Sequence, residues 1–198
     1  MRKWMVVVWL LMLALIVFGF FWFNQLVYLL PTPVPASYQQ VHNGEHIGLP
    51  SSIARQKHKP VLLHFFNPDC PCSRFNVAQF NTLVKNYSKD VDFVVVLMTS
   101  KNYSAKDIRK RFGISVPVIS DAKLAASCGV YSTPQAVVLT DQQQLFYRGN
   151  YNKSRYCTDE ATSYARIALD GVIAHRNDLK FDAMALKAYG CTLPNCNL

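Results

Sequence analysis

The sequence predicts an α/β protein with a mixed central sheet flanked by helices, preceded by one N-terminal transmembrane helix. Two observations lead to this prediction. Short runs rich in valine and leucine alternate with segments of helical periodicity over residues 59–198, and such alternation favours parallel strands joined by helices. One apolar run precedes them and is long enough to cross a bilayer.

The apolar run covers residues 4–23, carries no charge and is interrupted only by Gly19. An apolar helix of about 20 residues spans the hydrocarbon core of a membrane. Arg2 and Lys3 precede the run, which predicts a cytoplasmic N-terminus. We therefore expect a single-pass signal anchor over residues 1–30 in a bacterial-type inner membrane, with the C-terminal domain in the periplasm. A cleaved signal peptide is the alternative, although its apolar core typically has only about 7–15 residues.

Three proline residues alternate with other residues over 31–35, and this pattern favours an extended spacer. Residues 31–58 are therefore predicted to be a linker and lead-in to a domain over residues 59–198. Buried strands are predicted over 61–66, 91–98 and 135–140, with a brief extended piece over 116–119 and a hairpin strand over 145–148. Predicted helices cover 73–87, the stretch from Ser104 to Phe112, the stretch from Asp121 to Cys128, a long segment capped by Thr158, and 181–189.

The net charge is +9, from 21 basic and 12 acidic residues. The basic residues are scattered, and the run around Lys110 is typical of a solvated helix face. Attraction to anionic lipid headgroups near the anchor is a second interpretation. The sequence contains no nucleic-acid-binding motif, so a nucleic-acid partner is not expected.

Six cysteines in a chain with an export signal indicate an oxidising compartment and disulfide bonds. Cys70-Pro71-Cys72 lies where the first predicted strand ends and a helix begins. The unpaired N–H groups and the dipole at a helix start stabilise a thiolate, which is the reactive form of cysteine. This placement predicts redox chemistry or soft-metal binding, whereas a stapling disulfide is the structural alternative. Cys70 and Cys72 could pair with each other or with a distant cysteine.

The segment over residues 129–139 reads Gly-Val-Tyr-Ser-Thr-Pro-Gln-Ala-Val-Val-Leu. With this segment and the two cysteines, the chain resembles thioredoxin-like proteins, in particular the redoxin branch of peroxiredoxins and membrane-tethered thiol-disulfide proteins. The resemblance covers residues 59–175. It implies a cis Thr133-Pro134 bond facing the thiols, a groove there for an extended partner chain, Cys70 as the attacking thiol and Cys72 as the resolving one.

Two departures from the family pattern bear on the activity. Only one residue separates Cys70 from Cys72, where thioredoxins usually have two. Peroxiredoxins have threonine or serine three residues before the peroxidatic cysteine, where this chain has Asn67 before Cys70 and Asp69 before Cys72. Peroxidase activity is therefore less expected than thiol-disulfide exchange.

Other candidate residues have two interpretations each. His64 could relay a proton during exchange or could be an ordinary core histidine. Cys128 lies among small apolar residues, which favours a packing role. Cys157 and Cys191 are predicted to form a structural disulfide, and pairing of Cys191 with Cys196 is the alternative.

The sequence thus predicts a membrane-anchored thiol-disulfide oxidoreductase that acts on protein thiols or disulfides outside the cytoplasm through Cys70 and Cys72, without a cofactor or metal. Two alternatives remain open. Two thiolates also suit Cu(I), which would indicate a metallochaperone-like module with His175 as a distant candidate ligand. The third possibility is a non-catalytic interaction domain held by disulfides. The identity of the partner and the oligomeric state stay open.

Overall fold

The computed structural model describes residues 2–53, 58–153, 159–176 and 178–193, without the side chains of residues 24–29. The chain divides into two compact units, Met1–Pro31 and Thr32–Leu198. The first unit contains helix α1 (Arg2–Leu29). Within α1, Arg2–Phe23 has a mean hydropathy of 2.7 and is, by length and composition, a candidate membrane span.

The second unit contains the remaining elements. Its strands are β1 (Val61–Phe66), β2 (Asp92–Leu97), β3 (Val118–Ile119), β4 (Ser132–Thr133), β5 (Gln135–Leu139), β6 (Leu145–Gly149) and β7 (Cys191–Thr192). Its helices are α2 (Pro71–Tyr87), α3 (Ala105–Phe112), α4 (Ala122–Ser127), α5 (Tyr164–Ile173) and α6 (Ala183–Leu186).

Five strands form the central sheet in the order β3-β2-β1-β5-β6. Strand β2 is parallel to both β1 and β3, whereas β5 is antiparallel to both β1 and β6. A parallel β-α-β unit followed by an antiparallel hairpin and a helix is the thioredoxin-like arrangement, so the predicted fold class is confirmed. Strands β4 and β7 form a separate two-stranded antiparallel sheet.

Helices cover the central sheet on both faces, which explains why every residue of β1 is buried. Leu62 and Phe66 pack into one core with residues of α2, α3 and α5. The alternate residues Leu63 and Phe65 pack into a second core with residues of α4. Because neighbouring residues of a strand point to opposite faces, the continuous apolar run in the sequence indicates a strand buried on both sides.

Local capping chemistry sets the bounds of the short helices as predicted. The Ser104 side chain accepts a hydrogen bond from the Asp107 N–H at 3.0 Å, and Gly113 ends α3 in the left-handed conformation. The Asp121 carboxylate accepts from the Leu124 N–H at 3.0 Å and starts α4. Helix α2 begins at Pro71, two residues before the predicted start, because proline fits the first helical position.

The predicted start of the long helix and both predicted bounds of the last helix are wrong. Helix α5 begins at Tyr164, whereas the predicted cap, Thr158, lies outside the described residues. Just before α5, the Asp159 carboxylate accepts hydrogen bonds from the Ala161 N–H and the Thr162 hydroxyl, at 3.0 and 2.8 Å. These bonds form a local turn that competes with helix formation. Helix α6 covers only Ala183–Leu186 of the predicted 181–189.

The lead-in after the first proline belongs to the second unit, and its described residues pack on the rest of that unit. The Thr32 N–H donates to the Ala188 carbonyl at 2.9 Å. Further along, the Gly44 N–H donates to the Leu145 carbonyl at 2.7 Å, and the Leu145 N–H donates to the Glu45 carbonyl at 2.8 Å. The lead-in therefore satisfies both backbone groups of Leu145, the first residue of the edge strand β6.

Candidate active site at the start of helix α2

Cys70 is the residue that precedes helix α2 directly after the β1 strand. Its backbone is extended, with φ −83° and ψ 121°, and its carbonyl accepts the first helical hydrogen bond from the Arg74 N–H at 3.2 Å. The Cys70 side chain makes no capping hydrogen bond to the N–H groups of this helix. The N–H groups of the first turn and the helix dipole therefore favour a negative charge at the Cys70 sulfur.

Cys70 forms a disulfide with Cys191, with Cα atoms 6.1 Å apart. The predicted Cys157–Cys191 disulfide is therefore wrong, because strand β7 brings Cys191 to the start of α2. The alternative pairing of Cys191 with Cys196 is wrong for the same reason, since Cys191 is bonded to Cys70. Cys157 and Cys196 both lie outside the described residues.

Strand β7 reaches this place by pairing with β4. The pairing is antiparallel, and Thr133 lies opposite Cys191. The Cys70 sulfur lies 3.6 Å from the Thr133 carbonyl oxygen, so the disulfide contacts the β4–β7 sheet directly. The Thr32 hydroxyl donates to the Gly190 carbonyl at 3.2 Å and holds the residue before Cys191 from the other side.

Gly190 is required for this close approach of two backbones. Its φ is +151°, and a Cβ atom at this position would overlap the Thr133 carbonyl oxygen and lie 3.5 Å from Cδ of Pro134. Only glycine has no Cβ atom to make these contacts. The Gly190-Cys191 dipeptide is thus a local adaptation that lets the tail lie against β4.

The Thr133-Pro134 peptide bond is cis, as the family resemblance implied. Thr133 is fully buried and Pro134 is partly exposed. The segment that was expected to hold a partner chain therefore lies beside Cys70, and strand β7 of the same chain is paired with it.

Two further cysteines carry buried thiols. Cys72 is 6% exposed in the first turn of α2 and is not part of the Cys70–Cys191 bond. Cys128 ends α4 in the second core, where burial raises its pKa to about 12. Such a thiol stays protonated and unreactive, so the predicted packing role of Cys128 is confirmed.

His64 is fully buried on β1 and has no exposed atom toward the site surface. Its Nδ1 lies 2.8 Å from the Tyr151 hydroxyl, and its ring stacks on Phe80 with centroids 4.4 Å apart. Burial lowers the pKa of His64 to about 3, so the imidazole is neutral at physiological pH. Among the described residues Nε2 has no hydrogen-bond partner.

Asp69, directly before Cys70, is bound to the loop that follows β2. Its carboxylate accepts hydrogen bonds from Lys101 Nζ at 3.1 Å and from the Tyr103 hydroxyl at 2.9 Å. The Lys101 bond is the largest cause that lowers the pKa of Asp69. A carboxylate beside Cys70 opposes a thiolate there, and the Lys101 ammonium group partly balances this negative charge of Asp69.

The distant histidine considered as a copper ligand lies elsewhere. His175 lines a cavity of about 230 Å³ with His58, Thr140 and Asp141, and no cysteine is among the described residues that line it. Within the described part of the chain, no group of three or more histidine, cysteine, aspartate or glutamate side chains could hold a metal ion.

The sequence matches one family model over residues 38–196, described as Domain of unknown function (DUF6436). The chain belongs to this DUF6436 family. No curated protein matches the chain in sequence. The DUF6436 segment includes Cys70, Cys72, the Thr133-Pro134 bond and Cys191, and it leaves helix α1 outside.

Solved structures show the same fold at low sequence identity. A hypothetical protein from Sinorhizobium meliloti 1021 is 16% identical, with a TM-score of 0.64, and the match covers 79% of this chain and 96% of that one. An uncharacterized conserved protein from Geobacillus kaustophilus is 18% identical, with a TM-score of 0.63, over 83% and 97% of the two chains. A more distant likeness, with a TM-score of 0.48, is a thiol:disulfide interchange protein of the thioredoxin family from Chlorobium tepidum TLS, 19% identical over 73% and 97%.

Sequence reasoning placed Cys70, Cys72, Thr133 and Pro134 together but did not assign Cys191 to the same site. A two-residue strand has no periodicity that could reveal it. The available signal was the Gly190-Cys191 dipeptide, because glycine before a cysteine permits close backbone contact.

Proposed function

We propose that this DUF6436 protein is a membrane-anchored thiol-disulfide oxidoreductase that acts on protein thiols or disulfides outside the cytoplasm. Cys70 is its reacting thiol, Cys191 is the cysteine to which Cys70 is bonded in the oxidised state, and Cys72 is the second thiol of the motif. The observation that supports this proposal best is the Cys70–Cys191 disulfide at the start of α2, beside the cis Thr133-Pro134 bond.

The position of the disulfide distinguishes it from a bond that only staples the fold. One of its sulfurs lies at the N-terminus of a 17-residue helix, where the thiolate formed on reduction is stabilised. The two cysteines are 121 residues apart, but Cys191 lies in a short terminal strand that packs on the domain surface. Reduction can therefore free this strand without removing a residue of the central sheet.

The proposed location outside the cytoplasm rests on three features. Helix α1 contains a candidate span, Arg2–Phe23, and its basic residues lie at its start. The disulfide also needs an oxidising compartment, because cytosolic reductants keep most protein thiols reduced.

Disulfide mapping tests the oxidoreductase function. Full-length protein in detergent micelles is equilibrated with glutathione at a series of redox potentials, blocked with N-ethylmaleimide and mapped by mass spectrometry. We expect the Cys70–Cys191 bond to have a reduction potential above about −300 mV and to open reversibly, whereas structural disulfides of secreted proteins typically have potentials below that value and stay closed in the same buffers. Circular dichroism on the same samples reports whether the fold is retained.

Two variants complete this experiment. Cys70→Ser should abolish exchange with a dithiol-containing protein substrate, whereas Cys128→Ser changes a thiol buried in the second core and should leave exchange intact. If the Cys70–Cys191 bond opens only when the protein unfolds, the bond is structural and the proposed function is wrong.

A further inference from the structure

We propose that Cys191, and not Cys70, is the sulfur that an external thiol attacks in the oxidised protein. Strand β7 is then the arm that faces the partner, and Cys70 is the leaving group. This inference rests on the proposed oxidoreductase function and names the point at which the partner enters.

Access favours Cys191. Cys70 is only 2% exposed, and its sulfur lies 3.6 Å from the carbonyl oxygen of Thr133 in β4, the strand that pairs with β7. Cys191 is partly exposed, and the next residue, Thr192, is exposed. Because the rate of thiol-disulfide exchange depends on which sulfur an incoming thiolate can reach, the attack falls on Cys191.

The stability of the leaving thiolate also favours attack on the Cys191 sulfur. When Cys191 is attacked, Cys70 leaves as a thiolate at the N-terminus of α2, where N–H groups and the helix dipole stabilise it. If Cys70 were attacked instead, the leaving thiolate would be Cys191 in a two-residue strand, without a helix start of its own. A more stable thiolate leaves faster.

The tail holds Cys191 in a defined place on both sides. The Thr32 hydroxyl binds the Gly190 carbonyl before it, and the Leu193 side chain is buried in the second core after it. The strand therefore presents Cys191 at a fixed position beside Thr133 and is not a loose end.

The reaction balances with a dithiol partner as reductant. A partner thiolate forms a bond to the Cys191 sulfur, the Cys70–Cys191 bond breaks, and its electron pair leaves with the Cys70 sulfur. The second partner thiolate then attacks the partner sulfur of the mixed disulfide and releases the Cys191 thiolate, which takes a proton from water. The partner loses two electrons and forms a disulfide, and the two cysteines of this protein are reduced.

Trapping the first mixed disulfide tests the proposal. Oxidised full-length protein in micelles is mixed with reduced glutathione, quenched with N-ethylmaleimide at early times, digested and mapped. A Cys72→Ser variant is run in parallel, because it removes transfer of glutathione to Cys72. We expect glutathione on Cys191 and N-ethylmaleimide on Cys70, with roughly tenfold less of the opposite pattern.

A charge introduced next to Cys191 gives a second test, which measures the rate of reaction with glutathione. If Cys191 had only a structural role, this rate would not depend on the sign of the charge. Thr192→Lys should speed the reaction with anionic glutathione roughly threefold and Thr192→Glu should slow it to a similar extent, because charges act over short distances in water. The neutral thiol 2-mercaptoethanol should respond much less. The same two substitutions at Thr82, an exposed residue of α2, are the matched controls.

Each other result has a distinct meaning. Glutathione found mainly on Cys70, or equal rates for the Thr192 and Thr82 variants, overturns Cys191 as the entry point and leaves the oxidoreductase function standing. A disulfide that takes glutathione on neither sulfur until denaturant is added overturns both.

Discussion

At the level of single residues, His64 combines a titratable side chain with complete burial. Its pKa of about 3, lowered by burial, lies below the ordinary value of 6.5. The unfolded chain therefore binds a proton between about pH 6.5 and 3 that the folded protein does not bind. Because the unfolded state takes up more protons in this window, the stability that is present above pH 6.5 is lost as the pH falls.

We predict that His64→Phe removes part of this pH dependence. Wild-type protein should lose about 2 kcal/mol of unfolding free energy between pH 6.5 and 5 through His64, and the variant should not. Tyr151→Phe is the matched control, because it removes the hydroxyl 2.8 Å from Nδ1 but keeps the imidazole. The measurement is denaturant unfolding at each pH, and an equal decline in wild type and His64→Phe would contradict the prediction.

Gly190 is the residue on which the approach of the tail to β4 depends. We predict that Gly190→Ala destabilises the β4–β7 pairing by about 1–3 kcal/mol, because the new Cβ meets the Thr133 carbonyl and the backbone is at positive φ. Less Cys70–Cys191 disulfide should then form at a given glutathione potential, measured by mass spectrometry.

Gly48→Ala is the control for that substitution, since an added Cβ at Gly48 meets no atom within 4 Å. It should form the disulfide to the wild-type extent. Equal disulfide formation in Gly190→Ala and Gly48→Ala would show that the close approach at Gly190 does not position Cys191.

At the scale of elements, Cys70 at the start of α2 has a carboxylate next to it in the sequence. This carboxylate belongs to Asp69 and forms an ion pair with Lys101. We predict that Asp69→Asn raises the rate of alkylation of reduced Cys70 roughly twofold at pH 6, because a negative charge beside a forming thiolate is removed. Lys101→Gln should lower the rate to a similar extent, because Lys101 balances Asp69 across 3.1 Å.

Iodoacetamide labelling followed by peptide mass spectrometry measures both rates. The double variant should return close to the wild-type rate, since it removes both charges of the pair. If Asp69→Asn and Lys101→Gln change the rate in the same direction, their effect comes from local structure and not from charge.

The elements also show where sequence patterns are informative. The strands β1, β2 and β5 are predictable because continuous apolar runs are typical of strands buried on both faces. Phe75 is an apolar residue of α2, yet it is 49% exposed. It lies five residues before Phe80, which turns it by about 140° from the buried face at 3.6 residues per turn.

Elements that depend on distant contacts were not predictable. Strand β7 exists because Cys191 bonds to Cys70 and because Gly190 fits against Thr133, and beyond the Gly190-Cys191 dipeptide neither contact has a local signal. The end of α6 is similar: the Asn150 side chain donates to the carbonyls of Met184 and Lys187, both at 2.7 Å. These long-range bonds satisfy carbonyls that a longer helix would have used itself.

At the scale of the whole molecule, the first residue of the second unit contacts the segment before its last strand. Thr32, the first residue of the second unit, donates both its N–H and its hydroxyl to the segment that leads into β7. A sequence pattern indicated only a proline-rich spacer here. The packing of the lead-in was not predictable, because its partners, Ala188 and Gly190, lie at the opposite end of the chain.

The proposed membrane topology of helix α1 gives the last prediction. A cysteine placed at the exposed Ser37 by Ser37→Cys should react with a membrane-impermeant maleimide in intact cells, whereas a cysteine inserted after Met1 should react only after lysis. The expected orientation follows from Arg2 and Lys3, which favour a cytoplasmic N-terminus. Cys157→Ser and Cys196→Ser in the background limit labelling to the reporter.

Reversal of this pattern would place the domain in the cytoplasm. There, cellular reductants would keep Cys70 and Cys191 as thiols, and the proposed action on proteins outside the cytoplasm would be wrong. The exchange chemistry itself would still be decided by the glutathione experiments, because they use purified protein. Labelling of the two reporters therefore separates where the protein acts from how its disulfide reacts.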